Sequence, residues 1–202
     1  MQPIRRLGLA AFLVMAAAAF AQAAGRPGAD VDWPCHQNKV AEFPLASVWD
    51  GPPIDTTSSA WRDDPDVAGL EAEMSQRRVP IAEVQASVGK LVAAAGPEAK
   101  ARLLQAFGAA FEELTRQRSE IIAGLDRFGH KQRELADRIR AENETANRDQ
   151  PGSATSDDPL QKLRWDLRVF DDRRRTVSYV CEAPQAVEAR IGELVKIVRA
   201  AP

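Results

Sequence analysis

The sequence predicts an all-α protein: a long, coiled-coil-like antiparallel helical hairpin with two shorter helices and an irregular N-terminal strap pinned by a disulfide. Three observations lead there. First, a repeat at three-and-four spacing runs without a slip through Leu104, Phe107, Phe111, Leu114, Arg118, Ile121, Leu125, Phe128, Gln132, Leu135 and Ile139. That spacing lines side chains along one face of a single helix. Second, the turn-forming run Pro151-Gly152-Ser153 separates it from another repeat, Leu160, Leu163, Leu167, Phe170, Arg174, Val177 and Cys181. Third, the chain has two cysteines, Cys35 and Cys181, far apart in sequence and without metal-site or redox-motif spacing, which reads as a structural disulfide in an oxidising compartment.

Residues 1–24 read as a secretory signal. Arg5 and Arg6 precede the apolar stretch Leu7–Ala21, and the small residues Ala23 and Ala24 offer a cut site. The stretch is short for a bilayer span, which needs roughly 20 apolar residues. The abundance of Ala and Arg suggests a bacterium, so the expected location is the periplasm, as an exported protein with no later membrane segment.

Residues 25–64 form the strap. Pro34, Pro44, Pro52 and Pro53 argue against regular structure, yet Trp33, Trp49 and Trp61 lie here and carry large apolar areas to bury. The strap is therefore expected to lie across the helices, with its tryptophans as pegs and Cys35 as its anchor.

Residues 65–202 form the helical domain, with helices expected at 65–77, 80–94, 98–147 and 158–199. Asp64-Pro65 and Asp158-Pro159 each pair an acidic cap with a first-turn proline. Val67, Leu70 and Met74 mark the first helix; Ile81, Val84, Val88, Leu91 and Val92 mark the second. The third is long, roughly 75 Å at 1.5 Å per residue. Pro184 either kinks the last helix or breaks it in two. A turn centred near residue 152 sets the register: Leu125 faces the neighbourhood of Cys181, and Gln132 falls near Arg174, where a mutual hydrogen bond is expected. Gly124 and Gly129 are costly in a helix interior, and the close passage of the strap accounts for them. Leu103, Ala106, Ala110 and Ile122 form a second apolar face through which the hairpin could homodimerise.

The chemistry-bearing residues are sparse. His36 adjoins Cys35, but a disulfide removes the thiolate a metal or nucleophilic pair would need. His130 sits just off the seam as a solvated helix residue. No phosphate loop, nucleophile elbow, HExxH or EF-hand pattern is present, and the carboxylates alternate with Arg and Lys as on a solvated helix face. No catalytic residue, metal or other cofactor is expected. With 27 basic and 29 acidic residues and a net charge of −2, the chain has no general attraction for nucleic acid.

These features favour a non-enzymatic periplasmic protein acting through protein contacts, as an accessory, assembly or chaperone-like factor. Its candidate contacts are Trp165 and the cluster Arg173, Arg174 and Arg175 on the distal hairpin. The alternative is a small-ligand binding or sensor domain with a pocket between strap and helices, lined by Trp33, His36, Gln37, Trp49 and Tyr179.

Overall fold

The computed structural model describes residues 32–148 and 159–202; the expected secretory segment (1–24) and hairpin turn (149–156) lie outside the described residues. The architecture is all-α. Helix α1 spans Pro65–Ser75, α2 Ile81–Ala95, α3 Ala99–Arg148, α4 Pro159–Cys181 and α5 Ala183–Ala200. Short 3-10 turns occur at Leu45–Ser47, Ala60–Asp63 and Gly96–Glu98.

Local chemistry sets the boundaries. The Asp64 carboxylate accepts from the backbone N–H groups of Asp66 and Val67 and so caps α1. The same carboxylate receives Arg102 of α3 at 2.6–2.7 Å, fixing where α1 begins along the long helix. That guanidinium and the two N–H donors hold Asp64 below the usual carboxylate range. At the other end of α1, Arg190 of α5 donates to the carbonyls of Met74, Glu73 and Val79 at 2.9–3.1 Å. It occupies acceptors that a helix end leaves unpaired. Helix α2 ends where Gly96 takes φ 54°, a conformation that favours glycine.

The α4–α5 junction is a kink between two helices. Glu182 keeps helical dihedrals, and the Ala186 N–H reaches its carbonyl at 3.1 Å. Pro184 lies in the first turn of α5, where its missing N–H costs nothing.

The protein divides into a proximal core and a distal arm. In the core, Val67 and Met74 of α1, Val84 of α2, Leu103, Phe107 and Leu114 of α3, and Val187, Ile191, Leu194 and Val198 of α5 are fully buried. Each such side chain contributes roughly 1.5–3 kcal/mol against remaining exposed. Leu103, Ala106 and Ala110 are fully buried here and Ile122 nearly so. The second face of α3, through which the hairpin could homodimerise, is thus covered within the chain by the shorter helices and the strap.

Distally, beyond the strap's contacts with Gly129, His130 and Arg133, α3 packs against α4 along one stripe. The register follows the expected turn: Arg138 meets Asp166 at 2.6 Å, and Lys162 pairs with Glu142. The seam differs from its expectation at two points. Gln132 donates to the Phe170 carbonyl at 3.1 Å, while Arg174 points to solvent, because the backbone acceptor lies closer to the seam than a long surface side chain. Asp166 is buried and Leu167 is 44% exposed; the ion pair with Arg138 rotates α4 so that an acid takes the seam and a leucine leaves it.

Candidate functional site

The strap is held at several points. Cys35 and Cys181 form a disulfide with Cα atoms 5.6 Å apart. Beside it, Gln37 donates to the Cys181 carbonyl and Trp33 Nε1 to the Gln37 carbonyl. Further along, Arg118 of α3 is 2% exposed. It pairs with Glu188 of α5 at 2.6 Å, donates to the Val40 and Ala41 carbonyls, and stacks on Phe43. Its place in the heptad is thereby explained: a buried guanidinium needs several acceptors, and the strap supplies two carbonyls. Trp49 enters the core against Phe107, its ring centroid 5.3 Å away, and donates to the Pro52 carbonyl.

The strap also accounts for one of the two glycines singled out in the sequence. A Cβ on Gly129 would lie 1.6 Å from the Asp32 carbonyl oxygen, whereas one on Gly124 would make only ordinary contact with Arg127. A second close passage has no such signal in the sequence: Ile54 sits 2.6 Å from where a Cβ of Gly108 would be.

Of the five residues expected to line a pocket between strap and helices, Trp33 and Gln37 come together and the other three lie apart from them. Trp49 is buried, His36 is exposed, and Tyr179 is 78% exposed on α4. Trp33 and Gln37 do line a recess of about 180 Å³ with Arg118 and Glu188, but the Arg118 clamp already satisfies its charges. His130 is solvent-exposed, between Asp32 and Glu134. Among the described residues no three His, Cys, Asp or Glu side chains converge as metal ligands.

Two surfaces remain. The first is the outer face of α4. Apart from Val40, the large hydrophobic side chains left exposed among the described residues all lie on this helix: Leu160, Trp165 (62% exposed), Leu167 and Tyr179. Helical spacing puts Trp165, Arg168, Asp172, Arg175 and Tyr179 along one ridge and Leu160, Arg164, Leu167 and Asp171 along its neighbour. The ridge from Trp165 to Tyr179 is about 21 Å long at 1.5 Å per residue. Arg174 and Arg175 are exposed and Arg173 half-buried; Arg175 lies 3.9 Å from Asp172. Arginines thus outnumber acids on the face.

The second is a groove of about 640 Å³ between the strap and helices α1 and α3. Trp61 and Arg62 stand on its strap side, with the Arg62 guanidinium 4.5 Å from the Trp61 ring centroid. Glu71 of α1 lines it and is buried. Burial raises the pKa of Glu71 and the charge of Glu113 adds to the rise, while Ser75 and Arg62 act against it. On the α3 side, Arg116 is committed to Glu113 at 2.6 Å and to Glu120. Sequence reasoning missed this groove, because its residues come from three distant segments and each reads locally as solvated surface.

The fold and these surfaces define an all-α hairpin protein with a disulfide-anchored strap and an apolar, arginine-bearing arm. Comparison with known proteins gives no match to a family model, a curated protein or a solved structure.

Proposed function

We propose that this is a non-enzymatic periplasmic protein that works through protein contacts, docking a partner on the outer face of α4. The observation that carries the reading is the concentration of exposed Leu160, Trp165, Leu167 and Tyr179 on one helix whose other face is occupied by α3. Contiguous exposed apolar side chains rimmed by charge mark interaction surfaces, and Trp, Tyr and Arg are the residue types that dominate interface energetics. The excess of arginine on the same face fits a partner segment that is apolar and acidic, an amphipathic helix laid along the two ridges.

The test is affinity capture of the disulfide-bonded protein from the periplasm of its native host, compared with a Trp165→Ser/Leu167→Asp variant. A stoichiometric protein retained by the wild type and lost with the variant supports the reading, provided that circular dichroism shows the helices intact. Equal retention by both would remove α4 as the docking face.

A further inference from the structure

The groove beside Trp61 holds two opposite charges that the chain leaves apart. Among the described residues no cation lies within ion-pair distance of the Glu71 carboxylate. The nearest candidates are otherwise engaged, Arg116 with Glu113 and Glu120 and Arg62 on the Trp61 ring. Arg62 in turn meets no carboxylate among the described residues, though it is close enough to Glu71 to be felt electrostatically. Ser75 gives Glu71 a neutral hydrogen-bonding neighbour, but a buried carboxylate that lacks a cation costs free energy that a bound cation would recover. A lone amine would satisfy Glu71 but crowd Arg62, and a lone carboxylate would do the reverse. A molecule carrying both charges satisfies both.

We propose that this groove is a binding site for a small zwitterion of the amino-acid or dipeptide class, with its ammonium on Glu71 and its carboxylate on Arg62. The volume of about 640 Å³ falls in the range of small-ligand sites. Ser58 and Gln76 line the same groove and add neutral hydrogen-bonding groups, while Trp61 supplies an apolar wall for the ligand's stem. The site lies on the strap side of the proximal core, away from the α4 face, and stands independently of the docking proposal.

Isothermal calorimetry on the disulfide-bonded protein tests it with four probes: dialanine, N-acetyl-dialanine, dialanine amide and glucose. Dialanine is expected to bind. Each blocked form, lacking one charge, should bind at least about tenfold more weakly, the worth of one hydrogen bond to a charged group. Glu71→Gln should erase the preference for the free ammonium, and Arg62→Gln the preference for the free carboxylate, each leaving the other preference in place. That crossed pattern cannot come from general destabilisation, and melting curves of both variants exclude unfolding. No binding of dialanine at millimolar concentration overturns the proposal. So does binding that survives Glu71→Gln undiminished, or glucose binding as tightly as dialanine. If Arg62 instead swings onto Glu71 and closes the site, dialanine fails on the wild type as well, and the proposal falls.

Discussion

Substituting alanine at Gly124 and at Gly129 makes the same change twice in one helix, five positions apart, with opposite expected signs. Removing a glycine from an exposed helix interior stabilises by about 1 kcal/mol, and Gly124 offers a Cβ only ordinary contact with Arg127 at 3.8 Å. Gly124→Ala should therefore raise the melting temperature by about 2–4 °C for a domain of this size. At Gly129 the new Cβ would lie 1.6 Å from the Asp32 carbonyl oxygen and 2.7 Å from its carbon. The strap backbone must retreat by roughly 2 Å to restore van der Waals contact. Retreat separates Asp32 from Arg133, now 2.5 Å away, and from His130 at 3.4 Å, and strains the chain three residues before the disulfide. Overpacking of this kind costs about 1–3 kcal/mol, which outweighs the helix-propensity gain. Urea denaturation of the disulfide-bonded variants, read by circular dichroism at 222 nm, measures both. If Gly129→Ala stabilises as much as Gly124→Ala, the strap does not cross α3 where the structure places it.

Other perturbations test the remaining joints. Arg118→Ala removes the partner of Glu188 and of two strap carbonyls and should cost about 3 kcal/mol in urea denaturation; a loss under 1 kcal/mol would mean the clamp adds little. Replacing Cys35 and Cys181 together by serine releases a loop spanning 146 residues and should lower stability by about 5 kcal/mol on the chain-entropy estimate, with the strap becoming the first site of limited proteolysis. The pH dependence has two opposing parts. Because the folded pKa of Glu71 is raised, stability from this group is greatest in acid and is lost as pH rises from the unfolded value through the folded one. Glu71→Gln should therefore raise the melting temperature at neutral pH and leave it unchanged in acid. The depressed Asp64 contributes stability that is present above its unfolded pKa and lost as pH falls through its folded one, so Asp64→Asn should matter at pH 7 and not in strong acid.

Much of this architecture is legible in the residues because it rests on periodicity. The repeat from Leu104 to Ile139 and the turn near residue 152 fix both the hairpin and its register, as the Arg138–Asp166 pair shows. An isolated pair of cysteines points to the Cys35–Cys181 disulfide, and the cost of Gly129 in a helix points to the passing strap. The illegible parts depend on rotation and on convergence of distant segments. Hydrophobic spacing alone turns Leu167 inward on α4, yet Arg138 makes Asp166 the better seam residue. Gly124 shared the cost of Gly129 without its cause. Leu103, Ala106 and Ala110 read as a free apolar face because nothing in the sequence says that α1 and the strap will cover them. Arg190 gave no signal, since an arginine that gathers the carbonyls at the end of another helix has no local pattern. Glu71 has no local signal either, since α1, α3 and the strap bury it only once they converge.

Site-specific photocrosslinking in cells of the native host tests the central claim that the outer face of α4 is where a partner docks. A photoreactive phenylalanine analogue would replace Trp165 in one variant and the exposed Lys90 of α2 in another. A discrete adduct of a single partner from position 165, absent from position 90, is the predicted result. No adduct at position 165, or the same adduct from both positions, would contradict it.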